Sequence, residues 1–189
     1  LIKFALELPF NNEEIHYKLP FLFSSQKHLI PGLSSIKKNI ILIPGASHRS
    51  KYYPVEKFAE VVTEIDANFL IIWGNQKEKI MADKIKVLSP KVIICEKLSL
   101  DALISLISQV DLVLGSDTGL THMAWALNKS SITLFGSTPG HRNSYITKNN
   151  RIIESNSEVN PYKIDKNDYS IEDIDVQAIE KVYEDLLKQ

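Results

Sequence analysis

The chain of 189 residues holds a single cysteine, Cys95, so it can neither close a disulfide within itself nor build a cysteine metal cluster. That scarcity fits a reduced, cytoplasmic setting, with Cys95 expected as a small buried hydrophobe in the apolar run 92–95. No apolar stretch approaches the ~20 residues that span a bilayer as a helix, and no basic segment leads into an apolar one at the start, so neither a transmembrane segment nor a signal peptide is expected. Charge of one sign is also lacking. Lysine and arginine number 22 against 23 acidic residues, and a formal net charge of -1 leaves no electrostatic footprint for nucleic acid. There is no internal repeat and no low-complexity tract.

What is present reads as one globular domain, long enough to bury a core without a disulfide or a structural metal. Apolar runs rich in branched side chains occur at 40–43, 69–73, 92–95, 112–114 and 132–135 and predict strands buried on both faces. Helical spacing lies between them. Val55, Phe58, Ala59, Val62 and Ile65 follow Pro54; Ile80, Lys84 and Val87 mark 76–88; Leu103, Ile104, Leu106 and Ile107 mark 100–110, with Ser99 as a cap. Residues 123–127 and 173–188 complete the helices, the last with acidic residues at its start. Strict alternation of strand and helix predicts an α/β domain with an open, doubly wound, Rossmann-like parallel sheet whose ligands bind at the carboxyl ends of the strands. Residues 11–38, with Pro20 and Pro31, read as a crossing linker and 1–8 as the tail of an earlier element. The expected division is therefore 1–38 as linker and remnant of a missing amino-terminal domain, then a folded domain over 39–189.

Two loops stand at that carboxyl edge. Gly115-Ser116-Asp117-Thr118-Gly119-Leu120-Thr121-His122 joins a strand to a helix, and the free N–H groups of Thr118, Gly119 and Leu120, with the positive end of the helix dipole, suit an anion. The plainer alternative is that Asp117 or Thr118 caps the helix and Gly119 turns the chain. In the second loop, over 44–54, Ser47 and His48 can donate hydrogen bonds and Lys51 can supply a point charge, or stand solvated. Glu78 lies near a helix start, where a carboxylate is favourable on electrostatic grounds alone; its functional alternative is to accept ribose hydroxyls. Trp73 and Trp125 are expected to be packing residues.

These loops, in this order, resemble the carboxy-terminal domain of the bacterial ADP-heptose:lipopolysaccharide heptosyltransferases, glycosyltransferase family nine. Residues 40–135 carry the likeness through Asp117-Thr118-Gly119-Leu120 with His122, Ala124 and Ala126, through the 51–54 element, and through Phe135-Gly136-Ser137-Thr138-Pro139. The resemblance implies the carboxy-terminal half of a GT-B fold, holding an ADP-heptose donor without a metal or other cofactor. It implies that Ser47, His48 and Lys51 hold the diphosphate with the amides of Thr118, Gly119 and Leu120, that Glu78 takes the ribose and that Leu98 lines the adenine pocket. Asp117 is then set against sugar hydroxyls and His122 beside the phosphates. His48 departs from the small hydroxyl residue common in relatives. No catalytic residue is expected in this chain: the general base and the acceptor groove, for lipid A carrying Kdo or inner-core lipopolysaccharide, fall to the missing domain, and the fragment alone is expected to be inactive. The resemblance also implies a cytoplasmic enzyme, peripheral at the inner face of the inner membrane. A GT-B transferase using a UDP- or GDP-sugar and a non-catalytic nucleotide-binding or interaction module stay open as alternatives.

Overall fold

The first strand, β1 (Asn39–Ile43), is wholly buried, as branched residues on the middle strand of a covered parallel sheet must be. The structure is a computed structural model and describes residues 30–160 and 162–187; the expectations for 1–29 lie outside the described residues. Five further strands follow: β2 (Asn68–Ile71), β3 (Ile93–Ile94), β4 (Leu112–Ser116), β5 (Ser130–Phe135) and β6 (Asn150–Glu154). They form one sheet in the order β3-β2-β1-β4-β5-β6, every pairing parallel. The order reverses direction between β1 and β4, and a crevice opens there beyond the carboxyl ends of the strands.

Helices α1 (Val55–Glu64), α2 (Gln76–Leu88), α3 (Leu100–Gln109), α4 (Gly119–Ala126), the short α5 (Gly140–Asn143) and α6 (Val176–Leu187) cover the sheet. One apolar cluster joins Phe58, Val61 and Val62 of α1, Ala82 and Ile85 of α2 and Ile179 of α6 to Ile40, Leu42, Phe69 and Ile71. The other joins Leu106 and Ile107 of α3 and Ala124 of α4 to Ile41, Leu70 and Val113. Alternate residues of β1 thus face opposite layers, and truncating Ile40 or Ile41 to alanine costs about 2–5 kcal/mol. Ser99 caps α3 as expected, its side chain accepting from the Ala102 amide at 3.2 Å. Cys95 is buried, and burial pushes its thiol up to about 11.

Several elements differ from the sequence reading. The buried face of α2 is Ala82 and Ile85, while Ile80 and Val87 are exposed, because the small Ala82 is what lets this helix lie against its neighbours. The last helix, expected from 173, starts only at Val176: Asp173 ends a 3-10 turn over Ser170–Asp173, and Asp175 stands just before the helix. β6 and α5 were not anticipated: β6 is an edge strand with polar ends, and α5 has only four residues. Ordered packing also begins ahead of Asn39. Ile30 is buried in the second cluster, and Asn39 clamps the segment that follows it, accepting from Ser34 N at 2.7 Å and donating to Ser34 O at 2.9 Å.

Candidate functional site

The crevice at the β1/β4 reversal is a cavity of about 970 Å³. Its walls come from the ends of β1, β2 and β4 and from the first turns of α2 and α4. Ile43, Ile72, Trp73, Leu98, Leu103 and Met123 give it an apolar side. Ser47, Glu78, Asp117, Thr118, Gly119, Leu120 and His122 line the rest. Eight of the ten residues named from sequence therefore share one cavity. His48 and Lys51 do not line it: His48 is half-buried just before a 3-10 turn over Arg49–Lys51, and Lys51 is buried within that turn.

Lys51 reaches the cavity through Asp117. Its Nζ donates to Asp117 Oδ2 at 2.7 Å, and both side chains are less than a tenth exposed. Oδ2 also accepts from Thr138 Oγ1 at 3.3 Å and Asn143 Nδ2 at 3.2 Å, while His122 Nε2 lies 3.1 Å from Oδ1. Burial alone raises the Asp117 carboxyl, but the hydrogen bonds from His122 and Lys51, the Lys51 charge and the Asn143 amide outweigh it and hold the group well below the ordinary carboxylate range. The carboxylate stays charged, and with three donors gathered on Oδ2, the lone-pair capacity left for a ligand is on Oδ1.

The two helix ends facing the cavity differ. At α2, Asn75 Oδ1 accepts from Lys77 N at 3.0 Å and Glu78 N at 3.1 Å, and Glu78 accepts from Gly74 N at 2.6 Å and Asn75 Nδ2 at 2.7 Å. Glu78 thus completes a helix cap as well as lining the cavity. A Cβ on Gly45 would fall 2.3 Å from Glu78 Cγ, so glycine there makes room for this carboxylate. At α4, Thr118 and Thr121 form a reciprocal capping box, with Thr118 N donating to Thr121 Oγ1 at 3.3 Å, but among the described residues the amides of Gly119 and Leu120 meet no acceptor. Gly119 has no positive φ, and a Cβ on it would meet nothing within 4 Å. Neither a turn nor packing calls for glycine at this position.

Tryptophans anticipated only as packing have polar contacts beside the site. Trp73 lines the cavity and donates from Nε1 to Cys95 O at 2.8 Å; Trp125 stacks on His122. Thr138 and Asn143 escaped the sequence reading as functional groups, since nothing in their local pattern says that they converge on Asp117. Among the described residues no group of histidine, cysteine and acidic side chains could hold a metal ion, and no helix is long and apolar enough to cross a membrane.

A doubly wound parallel sheet with an open helix end in its reversal crevice places the protein in the class of Rossmann-like domains. The chain belongs to glycosyltransferase family 9 (heptosyltransferase), whose family model matches residues 4–170. It is 37% identical over 164 residues to lipopolysaccharide heptosyltransferase 1 of Campylobacter coli, covering 82% of this chain and 48% of that protein. The chain therefore spans about half the length of the curated relative it matches. Among solved structures, E. coli heptosyltransferase WaaC with ADP superposes with a TM-score of 0.68 at 20% identity, over 79% of this chain and 44% of that one. E. coli ADP-heptose lps heptosyltransferase II gives 0.68 at 22% identity, over 83% and 48%, and a Veillonella parvula family 9 glycosyl transferase gives 0.72 at 19% identity, over 84% and 48%.

Proposed function

We propose that this chain is the donor-binding, carboxy-terminal half of a GT-B heptosyltransferase that moves heptose from ADP-heptose to the lipopolysaccharide inner core. The observation that carries the reading is the open amino end of α4: two cavity-facing amides without acceptors and a glycine with no role in the fold. A diphosphate supplies the missing acceptors and needs the space that a side chain at Gly119 would fill. The WaaC structure with ADP and a second one with ADP-2-deoxy-2-fluoro heptose, at 20% identity, share the fold that frames this crevice.

In this reading Thr118, Gly119 and Leu120 bind the diphosphate with Ser47 and His122 alongside. Glu78 accepts the ribose hydroxyls with the lone pairs its cap leaves over, Leu98 and Trp73 take the adenine, and Asp117 Oδ1 takes a sugar hydroxyl. Lys51 and His48 act from behind, Lys51 by keeping Asp117 ionised and adding positive charge near the phosphates. The acceptor hydroxyl attacks the anomeric carbon with inversion as ADP leaves. The α4 amides and dipole stabilise the negative charge growing on the diphosphate, without a metal. The general base and the groove for lipid A carrying Kdo belong to the other half, on the cytoplasmic side of the inner membrane. This half alone binds donor and transfers nothing.

The test is calorimetric titration with ADP, UDP and GDP, with Gly119→Val alongside. Selective ADP binding weakened in the variant supports the reading. Preference for UDP or GDP moves it to another sugar donor, and an unaffected variant removes the α4 end from the site.

A further inference from the structure

We propose that Trp125 is a positioning residue, which holds the His122 imidazole against Asp117 and so pre-arranges the phosphate-facing edge of the cavity; this rests on the donor-site reading above. His122 and Trp125 are three residues apart on α4 and share a face. Their rings stack with centroids 4.3 Å apart and 21° between planes. The indole is itself pinned from outside the helix: Nε1 donates to Ser131 Oγ at 3.1 Å, and that fully buried β5 hydroxyl also accepts from Asn150 Nδ2 of β6 at 3.1 Å. Trp125 is thereby tied to two strands, whereas Leu120, Met123, Ala124 and Leu127 of the same segment turn into the apolar cluster.

The arrangement has a use only if His122 must be held. Its side chain is 45% exposed at the cavity wall, and in solvent such an imidazole exchanges freely between rotamers. With one ring face covered by the indole, Nε2 stays 3.1 Å from Asp117 Oδ1, and ligand binding no longer has to order this side chain. A stacked pair of this kind biases a conformational equilibrium about two- to tenfold, which sets the size of the expected effect.

The experiment is a double-mutant cycle read by ADP titration, using Trp125→Leu, His122→Ala and the double variant, with Trp125→Phe as the ring-retaining control. Trp125→Leu is expected to weaken ADP about two- to tenfold, Trp125→Phe, which keeps a stacking ring but loses the Nε1 pin to Ser131, to weaken it less, and the double variant to bind as His122→Ala does. A tryptophan that only supports the helix gives the same loss with or without His122, and that result overturns the proposal while leaving the donor site standing. If the wild type binds no nucleoside diphosphate, the donor-site reading falls and this role falls with it. Should Trp125→Leu fail to fold, Ser131→Ala decides, since it frees the indole Nε1 and keeps the ring: weaker ADP binding that vanishes in the His122→Ala background supports the pinning, and unchanged binding sinks it. Indole emission of the nucleotide-free protein gives a second readout. His122→Ala is expected to change the Trp125 contribution, obtained by difference from Trp125→Phe, and no change means that the stack is absent in solution.

Discussion

Two helix amino ends meet at the same cavity, and the chain treats them oppositely. At α2, Asn75 and Glu78 satisfy the first amides from within, and Gly45 is small so that the Glu78 carboxylate can lie against it. At α4, the Gly119 and Leu120 amides have no acceptor among the described residues, and Gly119 is small with nothing of the protein against it. Both ends carry the partial positive charge of a helix terminus, and only the second keeps it available. The difference separates a glycine that serves the fold from one that leaves room for something else.

The strongest way to break this contrast is to remove the group on which the α4 end is seated. Asp117→Asn leaves Lys51 buried without its counter-charge and should cost about 3–5 kcal/mol in urea unfolding, whereas replacing both partners by apolar residues should recover much of that and still lose nucleotide binding. Gly45→Ala should come next, at about 2 kcal/mol, since the new methyl displaces Glu78 from the α2 cap; the thermal midpoint reads it directly. Gly119→Val sharpens the comparison from the other side, because stability should hold while ADP affinity falls about tenfold, or ~1.4 kcal/mol, in calorimetry. Asn75→Ala should cost about 1 kcal/mol of stability, as loss of a helix cap does.

The last test concerns acid. The folded state holds the Asp117 carboxyl below its ordinary value of 3.8, so below about pH 4 the unfolded chain takes up a proton that the folded chain refuses. The stabilisation is complete above that window and is lost as pH falls toward the folded value. Stability measured between pH 5 and pH 2 should therefore decline more steeply in the wild type than in Asp117→Asn, and equal slopes would count against the buried pair.

Much of this was legible from residue order. The β-branched runs marked five of the six strands because a covered parallel strand has to be apolar on both faces. The 76–88 and 100–110 segments announced their helices through spacing, the second also through the Ser99 cap. The buried face of α2 was misread because Ile80 and Val87 outrank Ala82 in hydrophobicity, although the close approach of neighbouring helices selects the smaller residue. β6 was missed because an edge strand does not need a continuous apolar run, and α5 because four residues carry no period.

The sequence by itself determined the class of fold, the family and eight of the residues that line the cavity, since backbone hydrogen bonding, apolar periodicity and the Asp117 to His122 segment are local properties. Only the tertiary structure decided that Lys51 faces Asp117 across 66 residues, that Thr138 and Asn143 join them, and that Trp125 stands on a β5 serine to hold His122. Those contacts depend on which strand carboxyl ends lie side by side, and that follows from the packing of the whole sheet and from no single segment of it.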